Sequence, residues 1–329
     1  SGITTTSTLR CDASATDVDD ATNPTVTYEW FNGSTSIGTS QFVTLTTANS
    51  QPNDTIECVA SATDSSGTTV TGRDTVTVQN TGPTITAISL DKTTLYADTV
   101  VTCNATANDP DGGVPSITYA WTNGTTTLAT TATLTLTPSD VVPGDTLTCT
   151  ATASDGDGGS DTDSIDGAIL NSNPTVDTIG ITPSTNVYSD TSLSCAATAS
   201  DLNDGTLSTL DYKWVRRYLT SSGVWRTNQV GTGQTLTLTF SGYNPTDQVF
   251  CNVTATDANS GTGTGSTSVT IQNTDPTVTS VTLAPLNPTT SSTVTCTGAG
   301  NDPDGSTLGW SYNWTNTSTG DALGTGRSK

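Results

Sequence analysis

The chain has 329 residues, 9 Lys and Arg against 31 Asp and Glu, a net charge of −22 and 31% hydrophobic residues. That length exceeds what a single core ordinarily fills, so several domains are expected, and the charge repels phosphate backbones and anionic lipid faces, which sets nucleic-acid binding aside. Histidine is absent, removing the usual proton shuttle and every Ser/His or Cys/His nucleophile pair, and no apolar run has the length of a membrane span.

Along the chain the cysteines set a period. Cys11, Cys103, Cys195 and Cys296 recur at intervals of 92, 92 and 101 residues, a domain-sized repeat. Each is followed, 18 or 19 residues on, by the tryptophan of a Tyr-x-Trp triplet: Tyr28/Trp30, Tyr119/Trp121, Tyr212/Trp214 and Tyr312/Trp314. A second cysteine then closes three of the repeats, at Cys58, Cys149 and Cys251. Around the cysteines Val101, Cys103, Ala105 and Ala107 alternate with polar residues, as do Leu147, Cys149, Ala151 and Ala153, the two-residue period of half-buried strands. The fold class expected is all-β.

The Cys, Trp, Cys order and spacing resemble the immunoglobulin fold. The wording Asn108-Asp109-Pro110-Asp111-Gly112 before Ile117-Thr118-Tyr119 is also similar to the PKD-type and cadherin-like repeats of bacterial surface proteins. The resemblance implies tandem β-sandwiches end to end as a rod, with Cys11 bridged to Cys58, Cys103 to Cys149 and Cys195 to Cys251, each bridge packed by the tryptophan. Each bridge would close a loop of about 45 to 55 residues, worth on the order of 4 kcal/mol in the chain-entropy picture. Such cysteine use implies an oxidising, extracellular compartment at a cell surface.

Seams at Asn80-Thr81-Gly82-Pro83, Asn171-Ser172-Asn173-Pro174 and Asn273-Thr274-Asp275-Pro276 divide the chain into domains 1–80, 81–172, 173–273 and 274–329. The first lacks the strand that precedes Cys103 in the second. The fourth ends after the region of its Tyr-x-Trp strand and leaves Cys296 without a partner. A longer array or completion by strand addition from a neighbouring copy would account for both ends.

Six residues after every cysteine stands an aspartate: Asp17, Asp109, Asp201 and Asp302 after the first cysteines, Asp64, Asp155 and Asp257 after the second. Asp19, Asp20, Asp111, Asp157, Asn203, Asp204, Asn259 and Asp304 thicken these loops. In an immunoglobulin-like sandwich both loops emerge at one end, facing the preceding domain, where they would meet Asp54, Asp145 or Asp247, as well as Asp98 or Asp190, from its opposite end. Oxygen-rich, Gly-containing loops suit a hard ion, so calcium at the junctions is expected; turn formation by Asp, Asn and Gly is the plainer account.

The third repeat carries a longer insertion with Arg216, Arg217, Tyr218, Trp225 and Arg226. On an acidic protein this hairpin is a candidate for docking on a protein receptor or stacking on a glycan. Asn-x-Ser/Thr triplets at Asn32, Asn53, Asn104, Asn123, Asn252, Asn313 and Asn316 permit glycosylation. The partners expected are neighbouring domains or copies of the same chain, and the role structural or adhesive, not enzymatic.

Overall fold

A computed structural model describes residues 2–19 and 22–329; Asp20 lies outside them. Every regular element among the described residues is a β-strand. Two compact units divide the chain, Ser1–Asn171 and Ser172–Lys329.

In the first unit, residues 81–171 form two facing sheets. One has the order Thr126–Ala129, Ser116–Asn123, Thr146–Ser154, Ser160–Ala168; the other has the order Thr133–Thr135, Val100–Asn108, Thr84–Leu90. All pairings within them are antiparallel. The two-residue alternation of strands decides the core: Leu147, Cys149, Ala151 and Ala153 are fully buried, whereas the intervening threonines reach outward. Cys149 is the register partner of Trp121 and is bonded to Cys103 across the sandwich. The small alanines leave room for the indole, which is fully buried and donates its Nε1–H to the Thr131 carbonyl at 3.0 Å.

The same plan recurs in residues 2–80, where Thr35–Gly38, Val26–Asn32, Thr55–Thr63 and Thr69–Thr77 form the larger sheet and Thr8–Arg10 pairs with Phe42–Thr44. Cys11 bridges Cys58, and Cys58 stands opposite Trp30. In the second unit the larger sheet is Trp225–Thr232, Leu210–Leu219, Gln248–Thr256 and Thr262–Thr270, facing Thr175–Thr182, Ser192–Asp201 and Thr235–Thr237. Cys195 bridges Cys251, which stands opposite Trp214. The architecture is therefore an all-β array of immunoglobulin-like sandwiches, three of them stapled through the pairs the resemblance implies.

Residues 274–329 hold two strand pairs, Thr277–Ala284 with Thr295–Asn301 and Asn313–Thr315 with Ala322–Thr325. A bridge from Thr295 to Ser328 extends this repeat beyond its tryptophan strand. Cys296 carries no disulfide.

Candidate site: the inter-repeat carboxylate junctions

The aspartate six residues after each first cysteine sits where its strand turns into a loop. The Oδ1 atoms of Asp17, Asp109, Asp201 and Asp302 each accept the backbone N–H two residues on, at 3.1, 2.9, 2.7 and 2.9 Å. After the second cysteines, Asp155 and Asp257 do the same at 2.9 Å and also take the N–H four residues on, at 2.7 Å. Asp64 caps its turn through Ser66 and Thr68. These are Asx turns, and they explain the unbroken spacing: a carboxylate there closes the loop on itself.

Closing the first turn aims the next acid outward, at the neighbouring repeat. In the first unit Asp111 is buried and accepts the Thr5 hydroxyl on Oδ1 and the Thr81 backbone N–H on Oδ2, both at 2.5 Å. In the second unit Asp304, also buried, accepts the Ser189 hydroxyl on Oδ1 and the Thr274 N–H on Oδ2, the latter at 2.5 Å. Thr5 and Ser189 themselves have no exposed surface. Two charge-assisted bonds on one buried carboxylate, from a side chain of the preceding repeat and from the linker, fasten both at once. In the third repeat Asn203 replaces this acid. Its Oδ1 accepts the Ser172 hydroxyl at 2.8 Å, and its buried amide nitrogen has no hydrogen-bond partner among the described residues.

A second contact reinforces the first-unit junction. Asn80 Nδ2 donates to Asp155 Oδ2 at 2.9 Å, and this bond, ahead of the turn's own N–H groups, holds the Asp155 carboxyl below its ordinary range. Asn53 Nδ2 reaches Asp157 at 3.3 Å. The linker approaches so closely that a Cβ on Gly159 would lie 2.5 Å from Gly82 Cα; the Gly-rich run beginning at Asp155 serves this approach.

Calcium would require several carboxylates turned to one point. Among the described residues no group of three or more Asp, Glu, His or Cys is so arranged, because the loop acids are committed to N–H and O–H donors. The residues expected from the opposite end of the preceding repeat are also differently engaged. Asp54 accepts Asn32 Nδ2 at 2.6 Å and the Gln51 N–H at 2.7 Å; Asp145 accepts Asn123 Nδ2 at 2.7 Å and the Val142 N–H at 2.9 Å. At the first-unit junction the place expected for Asp54 is taken by Thr5 and Asn53. Neither stood out in so Thr- and Asn-rich a sequence.

In the third repeat Asp247 makes the corresponding turn, and its side-chain partner is Arg216, with Nε at 2.7 Å and an Nη at 2.5 Å. Arg216 thus occupies the position of Asn32 and Asn123, two residues past the tryptophan, and stacks between Tyr218 and Tyr243 at 4.5 and 5.4 Å. Burial pushes the Tyr243 hydroxyl above its ordinary pKa. Arg217 lies 4.6 Å over Trp225, which is half exposed.

No family model matches the sequence, and no curated protein matches it. Similar solved structures include three N-terminal domains of the bacteriophage RB49 Highly Immunogenic Outer Capsid protein, at 13% identity over 83% of this chain and 99% of that one, with a TM-score of 0.27. Mouse Protocadherin-24 EC1-3 is similar at 16% identity over 75% and 89% of the two chains, TM-score 0.26. A Ca2+-stabilized adhesin of an Antarctic bacterium is similar at 17% identity over 88% and 76%, TM-score 0.28. At these scores the likeness ends at tandem sandwich modules.

Proposed function

We propose that this chain is a non-catalytic structural segment of an extracellular, surface-displayed fibre, stalk or adhesin, in which disulfide-stapled sandwiches are joined through buried carboxylates. The observation that carries this reading is the recurrence of one junction: hydroxyl, linker N–H and carboxylate at Thr5, Thr81 and Asp111, and again at Ser189, Thr274 and Asp304. A chain built to hold neighbouring modules in fixed register needs such joints, and three disulfides suit an oxidising exterior. Small-angle scattering tests it. Asp111→Ala with Asp304→Ala should broaden the distance distribution of the chain while each sandwich keeps its near-ultraviolet circular dichroism; an unchanged distribution would remove the structural role assigned to these joints.

Calcium stiffening is the second form of this proposal, supported by an all-oxygen donor set in which Asp111 and Asp155 reach the same linker. It requires those carboxylates to exchange hydrogen bonds for the ion. Scattering curves that superimpose in millimolar calcium and in excess chelator would exclude it. A receptor- or glycan-binding role is favoured by a different feature, the half-exposed Trp225 with Arg217 against it and Arg226 on the same hairpin. Trp225→Ala with Arg226→Ala should then abolish capture on a glycan array without lowering the melting temperature.

A further inference from the structure

The outer faces of the larger sheets in the first and third repeats carry side chains unlike those of the second. Strand alternation assigns these faces, because the residues on either side of each buried tryptophan and cysteine point away from the core. In the second repeat the outward cross-strand pairs are Ala120 with Thr150 and Thr122 with Thr148, and Asp166 lies beside Thr148. In the first repeat the same positions pair Glu29 with Val59 and Phe31 with Glu57. In the third they pair Lys213 with Asn252, Val215 with Phe250 and Arg217 with Gln248, and the hairpin adds Trp225 opposite Leu219.

Charge divides the two unusual faces. Glu29 and Glu57 are the only glutamates in the chain, every other acid being an aspartate. The loop aspartates close turns on themselves, whereas these two longer acids stand together on one sheet face. Glu57 takes Arg73 across the strands at 2.9 Å; the exposed Glu29 carboxylate has no ion-pair or hydrogen-bond partner among the described residues. The larger sheet of the third repeat holds Lys213, Arg216, Arg217 and Arg226 against a single acid, Asp211, which shares the outer face. Arg216 turns inward to Asp247, leaving Lys213 and Arg217 outward, the latter stacked on the half-exposed Trp225. We infer that these faces dock on each other between two copies of the chain. The third repeat of one copy seats on the first repeat of a second, with Trp225 against Phe31, and Lys213 and Arg217 against Glu29 and Glu57. Copies of net charge −22 repel one another, so a contact between them is favoured at a face where bases outnumber acids. Tryptophan and arginine are the usual anchors of such contacts, and opposed charges set the register. The second repeat offers an acid at Asp166 but no large apolar residue among these outward pairs. The inference rests on the fibre reading, whose joints at Asp111 and Asp304 are separate residues, so the joints and the docking fail independently.

Sedimentation of the full chain at submillimolar concentration and low ionic strength tests this. The chain should self-associate, and added salt should weaken the association by screening the charge pairs. Trp225→Ala should weaken it roughly thirtyfold, as for an aromatic anchor. Glu29→Lys and Lys213→Glu should each weaken it about tenfold, equivalent to roughly 1.4 kcal/mol. Both substitutions in one chain should restore it, because the exchanged charges again oppose each other between copies. All three positions are exposed in the single chain, so the variants should melt as the unsubstituted protein does. A chain that stays monomeric, a double variant that associates no more tightly than the single ones, or self-association unchanged by Trp225→Ala would each overturn the proposal, as would glycan capture by the hairpin of a chain that does not self-associate.

Discussion

The second and fourth repeats share a strand framework and differ in burial. Both have the bulged pair of strands at their start, the cysteine bonded to the carbonyl of a crossing segment, and the indole N–H on a backbone oxygen. Yet Trp121 is fully buried, whereas Trp314 is only partly covered beside the 38%-exposed Trp310. Local hydrogen bonds therefore set the indole's direction, and the second-cysteine strand with its alanines sets how much water it loses. Because hydrophobic stabilisation follows apolar area removed from water, the same residue type contributes very differently in the two places.

The largest effect expected from this comparison is at the tryptophans. Trp121→Ala should cost about 3–5 kcal/mol as a large buried side chain, and Trp314→Ala under about 1 kcal/mol, as for a partly covered one; hydrogen exchange of each repeat in urea measures both. Similar costs would mean that the framework alone, without its covering strands, holds the core. Next in size are the junctions, since Asp304 of the open repeat is fastened to the preceding one as Asp111 of the closed repeat is. Asp111→Asn and Asp304→Asn should each cost about 1–3 kcal/mol, because an amide group would face an N–H donor in a buried place; a loss at Asp111 only would tie the joint to a complete sandwich.

The smallest effect concerns acid. Asp155 belongs to the loop after the second cysteine, and Asn80 holds its carboxyl below the ordinary range. A depressed folded value means that the stabilisation is present above the unfolded carboxylate value, near pH 4, and is lost as pH falls through the folded one. Asn80→Ala should flatten that acid-side loss in the first unit and lower its stability at neutral pH only slightly. Melting curves between about pH 2 and pH 7 follow both.

Much of the fold was legible because cysteine, tryptophan and alternating small residues are rare enough to stand out: the period, the strand alternation around Cys103 and Cys149, and the bridges implied by the resemblance to immunoglobulin domains all agree with the disulfides and strands observed. The loop aspartates were legible as a pattern, and their common position near the linker follows from strand direction. Their employment was not. One spacing serves an Asx turn at Asp109 and a joint at Asp111 two residues later, and nothing in the composition separates them. Arg216 stands two residues past its tryptophan as Asn32 and Asn123 do, but that it grips Asp247 there shows only in the fold.

What the sequence determined by itself was everything carried by period and alternation: an all-β array, its cysteine–tryptophan cores and the acidic turns. Only the tertiary structure decided which oxygens meet which donors, and that Thr5 and Ser189, not Asp54 and Asp247, reach the joints. The reason is physical. Strand patterning depends on each residue's neighbours two positions away, whereas a hydrogen bond from Thr5 to Asp111 depends on where two separately folded sandwiches bring atoms that are 106 residues apart in the chain.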